Sequence, residues 1–92
     1  MIVYAECSFF LPDVHSLKEK RSIVQKMIQK AKNRYNVSIA ELDDQDVWQR
    51  TVIGIVAVSS SGAFAQQEVE RTIRLLETAV EWEMTDWTFE NY

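Results

Sequence analysis

Lys18, Lys20 and Arg21 stand within four residues of one another, directly after a helix-start signature. That signature is Ser16 followed by Glu19, a capping box in which the hydroxyl accepts from the backbone N–H three residues on and the carboxylate reaches back. Cations in a first helical turn oppose the helix dipole, at ~0.3–1 kcal/mol each before screening. The chemistry open to them is anion binding, since free backbone N–H groups and three positive side chains can hold a phosphate. The competing reading is internal neutralisation by Asp13, Glu19, Asp43, Asp44 or Asp46, and ion clusters are more often structural than functional. Lys26 and Lys30 continue the run, so the candidate anion or RNA contacts are Lys18, Lys20, Arg21, Lys26 and Lys30.

Other chemistry-bearing residues are few. Glu41, Asp43, Asp44 and Asp46 form an acidic stretch, but it lacks the glycine and the bidentate glutamate at the spacing that an EF-hand loop needs. No metal is expected. Trp48-Gln49-Arg50 follows directly and, with Asp43 and Asp46, makes a candidate recognition motif. The plainer reading has Trp48 packed over the end of the fold and Arg50 paired with a nearby acid. His15 is the only histidine and Cys7 the only cysteine. Cys7 has apolar neighbours on its own strand face, which suits a core residue better than a thiolate. With no nucleophile–base pair, no phosphate-cradling glycine loop and no paired carboxylates, the chain is not expected to be an enzyme or to carry a cofactor.

The elements that must position these residues can be read from periodicity. Residues 1–11 alternate, with Val3, Ala5, Cys7, Phe9 and Leu11 on one parity, and Pro12 ends the strand. From Ser16 to Tyr35 a stripe of Leu17, Val24, Met27, Ile28, Ala31 and Tyr35 has helical spacing, and Asn36 is the expected helix exit. Residues 37–42 read as a short strand, 43–46 as a turn and 47–59 as a strand apolar on both parities, hence central. A second helix is expected over 63–79, with Ala65, Val69, Ile73 and Leu76 inward. Val80, Trp82 and Met84 then begin a last strand, while Trp87 and Phe89 fall on the other parity, which predicts a bulge or a second apolar face.

The order β-α-β-β-α-β predicts one α+β domain over residues 1–92. Its expected form is a ferredoxin-like sandwich, a four-stranded antiparallel sheet of order 4-1-3-2 with both helices on one face. Cys7 should then lie under a helix. The basic helix start, the acidic turn and Trp48-Gln49-Arg50 fall at the same end of the sandwich. The opposite sheet face is left open, and Tyr4, Phe10, Ile53 and Ile55, with Trp87 or Phe89, are expected to form an apolar patch on it. A patch of a few hundred Å2 calls for a cover. A second copy in two-fold pairing is the simplest one, and a fold-back of the tail through Trp87, Phe89 and Tyr92 is the other. RNA-recognition domains of this fold stack bases on aromatics of strands 1 and 3. Here strand 3 offers Val, Ile, Gly and Ala, so that mode is disfavoured.

The segments SLKEKRS (16–22) and NVSIAELDDQDVWQR (36–50), followed by TVIGIVAVSS, resemble the YlxP-like family, a bacterial domain of unknown function, along essentially the whole chain. The resemblance implies a ferredoxin-like fold in a cytoplasmic protein. It also implies a setting in translation, because genes of this family often neighbour those for translation initiation and ribosome maturation. It brings no catalytic residues. Asp44 departs from the family pattern and makes the turn more acidic.

Charge sharpens the functional expectation. The segment 15–35 holds seven of the ten basic residues against one acid, a charge of +6 in a chain whose total is −4. Such asymmetry points to a polyanion partner, to self-association or to internal pairing. The expected function is a non-enzymatic accessory module in bacterial translation or RNA metabolism that meets RNA or a ribosome-associated protein through the basic helix. The alternative is an oligomeric structural or regulatory domain that pairs through its open sheet face. No apolar run approaches the ~18 residues of a membrane span, so no membrane role is expected.

Overall fold

The computed structural model describes residues 1–43 and 47–92, with Asp43 described through its backbone alone. Six elements follow in order: β1 (Ile2–Phe10), α1 (Leu17–Arg34), β2 (Ser38–Asp43), β3 (Arg50–Val58), α2 (Gly62–Glu77) and β4 (Glu83–Asn91). The strands form one antiparallel sheet of order β2-β3-β1-β4, the ferredoxin-like α+β arrangement. Helix α2 lies over β1 and β3, while α1 lies over β2 and against α2. Ser16 and Ser61 cap the helices, their hydroxyls accepting from the Glu19 and Phe64 N–H groups at 3.1 and 3.2 Å. The Glu19 carboxylate reaches back to the His15 N–H at 3.5 Å. At the end of helix α1 Tyr35 is extended, and the Asn36 N–H donates to Glu68 of α2 at 3.1 Å.

One parity of β1 builds the core. Val3, Ala5, Cys7 and Phe9 are buried, and the register sets them beside Ala57, Ile55, Ile53 and Thr51. Opposed residues in a ladder share a face. Ile53 and Ile55 therefore point toward the helices and are fully buried, which corrects their expected place on the open face. The open face of β3 is instead Arg50, Val52, Gly54, Val56 and Val58, the partners of Phe10, Ser8, Glu6, Tyr4 and Ile2. A strand apolar on both parities carries no internal sign of which face meets the helices, and a one-residue slip exchanges the two.

The last strand also departs from its periodicity. Val80 is 94% exposed in a turn, and β4 begins only at Glu83. Trp82 is drawn inward by packing: its ring stacks on Phe9 at 4.1 Å, and its indole N–H donates to the Leu76 carbonyl at the end of α2, 2.6 Å away. The expected bulge is present, a register shift at Ser8/Phe9 that skips Thr85. Trp87 pairs with Cys7 and Phe89 with Ala5, so both lie on the helix-facing side of the edge strand, not on the open face. The tail continues β4 alongside β1 and does not fold across the sheet; Tyr92 is 70% exposed.

Candidate functional site

The expected phosphate site at the start of α1 is not assembled. Lys20 is fully buried, which removes it from the candidate contacts. It falls in line with Leu17, Val24, Met27 and Ala31, so its stem enters the core stripe. Its ammonium lies 3.1 Å from the Glu41 carboxylate of β2 and donates to the Arg50 carbonyl of β3 at 3.1 Å. Glu41, on the helix-facing parity of β2, also accepts from the Thr51 hydroxyl. A cation read as a ligand for an outside anion is thus the internal tie between α1, β2 and β3. Lys18 and Arg21 remain exposed on either side of it.

The neighbouring motif divides in a similar way. Gln49 is structural: its carbonyl accepts from the Leu11 N–H at 2.8 Å, and its amide reaches the Pro12 and Val14 carbonyls at 3.3 and 3.5 Å. Trp48 is 49% exposed rather than packed away, and Arg50 is exposed without an ion pair to a described residue. Asp46 and Asp44 lie outside the described residues, as does the Asp43 side chain.

A different basic surface runs along the seam between the helices. Lys26 reaches Glu81 beyond the end of α2, while Asn36, just past α1, meets Glu68, so the helices run in opposite directions. Lys26, Lys30 and Arg34 are four residues apart and share a flank of α1. Lys26 bonds Glu81 at 2.7 Å, a hydrogen bond that holds the Glu81 carboxyl below its ordinary range. Farther along, Arg34 and the C-cap Tyr35 of α1 face Arg71, Arg74 and the C-cap Thr78 of α2 across a groove of about 240 Å3. Arg71 and Arg74 stand 3.9 and 3.7 Å from Glu68 and Glu70, beyond hydrogen-bond reach, with side chains 53 and 72% exposed. Three exposed arginines thus border one groove, two of them loosely ion-paired with acids of their own helix. Arg71 and Arg74 were legible as a pair three residues apart on α2. Only the antiparallel helix packing shows that they meet Arg34.

The open sheet face has two halves. Along β2 and β3 it is apolar: Leu42, Val52, Val56 and Val58, with Ile2 beside them. Leu42 covers Gly54 so closely that a Cβ there would lie 2.6 Å from its Cδ1. Along β1 and β4 the face is acidic, with Glu6, Glu83, Asp86 and Glu90. Burial and the hydrogen bond it donates to Glu6 push the Tyr4 phenol up to about 12. A concavity of about 340 Å3 at one end is lined by Ser8, Phe10, Arg50, Val52 and Asp86. Of the exposed cations, Lys18, Arg21, Lys26, Lys30, Lys32, Arg34, Arg71 and Arg74 lie on the helix layer, among the acids Glu19, Glu70 and Glu77, while Arg50 lies on the open face, so the described charges lean to opposite sides of the sandwich.

The catalytic candidates stay apart. Cys7 is fully buried, and burial, helped by the nearby Glu77 charge, pushes its thiol up to about 11. His15 is exposed in the loop before α1. Among the described residues, no three His, Cys, Asp or Glu side chains cluster as metal ligands. Among them, too, no helix is long and apolar enough to cross a membrane.

Residues 2–89 match a protein family described as "Protein of unknown function (DUF503)". The chain is 42% identical over 85 residues to "Uncharacterized protein YlxP" of Bacillus subtilis (strain 168), covering 92% of both chains. Among solved structures it is similar to "De novo designed protein Foldit4", with a TM-score of 0.62 at 13% identity over 100% of this chain and 99% of that one. It is also similar to SnoaB, a cofactor-independent oxygenase from Streptomyces nogalater, with a TM-score of 0.60 at 11% identity over 99% and 92% of the two chains. At such identities the likeness is one of fold.

Proposed function

For a chain that belongs to the DUF503 family, whose function is unknown, we propose a non-enzymatic binding module of the bacterial cytoplasm that holds the phosphate backbone of RNA, free or within a ribonucleoprotein, along the seam between its helices. The observation that carries the reading is the groove bordered by Arg34, Arg71 and Arg74. Guanidinium groups grip phosphate oxygens two at a time, and their weak hydration favours such contacts over those of lysine. Lys30 extends the positive surface along the same flank of α1, while Lys18, Arg21 and Lys32 add exposed positive charge toward its other flank. Tyr35 offers an aromatic edge beside the guanidinium cluster. The buried thiol and the isolated histidine weigh against nucleophilic catalysis. A translation setting is the part of the reading that rests on the family resemblance alone.

Fluorescence anisotropy with a labelled single-stranded RNA tests it. Binding should be sequence-tolerant and fall steeply between 50 and 200 mM salt, by roughly tenfold or more, as released counterions dictate. The triple variant Arg34→Glu, Arg71→Glu, Arg74→Glu should abolish binding, while Lys18→Glu with Arg21→Glu should weaken it only a few-fold. Absence of binding by the unaltered chain at the lowest salt would overturn the reading.

A second reading is favoured by one observation, the apolar half of the open face. Leu42 and Ile2 are 41 and 42% exposed and Val58 69%, with Val52 and Val56 half-buried between them. The occupant consistent with an apolar stripe of this kind is a second copy in two-fold pairing. Sedimentation at micromolar concentration decides: Val56→Glu should convert a dimer into a folded monomer. A monomeric unaltered chain would sink it.

A further inference from the structure

The edge of β4 is a site of another kind. Ile2 and Tyr92 exchange both backbone hydrogen bonds, at 3.1 and 2.8 Å. In an antiparallel ladder such doubly bonded pairs recur at every second residue, here Tyr4 with Glu90 and Glu6 with Thr88. The even-numbered residues of this stretch therefore turn their N–H and C=O groups toward β1. Trp87, Phe89 and Asn91 turn theirs away from the sheet, where no further strand follows. The Trp87 N–H is held by the carboxylate of its own neighbour, Asp86, at 2.9 Å. Phe89 and Asn91 present theirs to an incoming chain.

The two faces flanking this edge differ. On the helix side, Trp87 and Phe89 meet edge to face at 5.7 Å and, with Ile73 and Met84, form the apolar wall of a cleft of about 440 Å3 whose other wall is Glu70, Arg74 and Glu77 of α2. Trp87 is 54% exposed there. On the open side, Asp86 and Glu90 point outward with Glu6 beside them, and Arg50, the one cation among the described side chains of that face, lies two strands away on β3.

We propose that the edge Asp86–Asn91 takes up an extended peptide as a fifth strand, with apolar side chains on one parity seated over Trp87 and Phe89 and basic side chains on the other facing Asp86 and Glu90. Strand addition draws affinity from main-chain bonds and specificity from alternate side chains. Opposite charges directly across a ladder are stabilising and like charges are not. A second β4 paired about a two-fold axis would set acids against acids, so the occupant is a basic partner and not another copy. The Asp86 carboxylate on the Trp87 N–H blunts the bare edge, as edge strands require. A lysine beside Asp86 draws that carboxylate away and frees the N–H.

The probe is a ten-residue peptide of alternating Val and Lys, titrated at low salt into the 15N-labelled full chain. A control peptide has the same composition with the five valines and five lysines in separate blocks. The alternating peptide should bind about tenfold more tightly or better, a difference of ~1.4 kcal/mol, and should slow amide exchange at Phe89 and Asn91. Asn91→Pro removes an outward donor and no bond to β1, and should abolish that preference. Asp86→Lys with Glu90→Lys, two surface changes, should transfer the preference to an alternating Val/Glu peptide. Equal binding of the alternating and block peptides, unchanged binding by the Asn91→Pro variant, or no reversal in the doubly reversed variant would each overturn the proposal. So would a self-association of the unaltered chain that Asn91→Pro abolishes, which would assign the edge to a second copy.

Discussion

Lys20 holds its ammonium against Glu41 and the Arg50 carbonyl with no exposure to solvent. Breaking a buried pair by removing one partner leaves an uncompensated charge and costs about 3–5 kcal/mol, whereas apolar replacement of both is often near neutral. Glu41→Ala should therefore lower the urea-unfolding free energy by about that amount, and Lys20→Met with Glu41→Leu should recover most of it. A single-variant loss below ~1 kcal/mol would place the pair among solvated surface bridges, contrary to its burial. Both partners left a trace in the sequence, a lysine in the inward stripe of α1 and an acid on the inward parity of β2. Each looked like a binding group because charge is usually read as surface. Cys7 makes a second prediction at this scale. Its folded thiol titrates near 11 against an ordinary 9.0, so the folded state favours the neutral form. That contribution is intact below pH 9 and is lost as pH rises toward 11, because the unfolded thiol ionises first. Stability measured across pH 8–11 should fall for the unaltered chain and fall less for Cys7→Ala. At pH 8 the native thiol should react with a soluble disulfide reagent only as fast as the chain unfolds.

The six elements and their order follow from local signals: the parity of β1, the Ser16 capping box, two amphipathic stripes. What did not follow were the features decided by neighbours. Ile53 and Ile55 were placed on the wrong side because β3 alternates between two apolar sets, and only its register with Cys7 and Ala5 separates them. Trp82 fitted a strand parity but is held by Phe9 and by the end of α2. Trp82→Phe keeps a ring against Phe9 and removes the indole donor from the Leu76 carbonyl, which still accepts from the Ala79 N–H, a change expected to cost about 0.5–1.5 kcal/mol in chemical denaturation. Trp82→Ala, which removes the ring as well, should cost about 3–5 kcal/mol. If the two losses are equal, the stack on Phe9 contributes nothing. The arginine groove belongs to this scale too. Arg34, Arg71 and Arg74 lie on two helices, and their meeting depends on the antiparallel packing of α1 against α2, which no single stretch encodes.

At the scale of the whole molecule the described charges lean by layer, with most exposed cations over the helices beside Glu19, Glu70 and Glu77, and with Glu6, Glu83, Asp86 and Glu90 on the open sheet against Arg50 alone among its described residues. The sum is negative, yet the two broad faces present opposite signs. A polyanion approaching such a body feels little net pull at a distance and a strong directional one nearby. Stopped-flow association with RNA should therefore accelerate at low ionic strength even though both partners are negative, since potentials of this kind raise encounter rates by ~10–10³-fold. Neutralising the far side, with Glu83→Gln, Asp86→Asn and Glu90→Gln together, should raise the total charge and still leave the orientation of the bound chain unchanged. If association instead slows as salt is withdrawn, net repulsion governs. The arrangement amounts to an electric dipole built across a thin slab, with the sheet as its spacer. Such a dipole turns in flight: it presents the arginine groove to a negative strand before any contact is made, and leaves the acidic edge of β4 facing the other way, toward whatever basic chain is nearby.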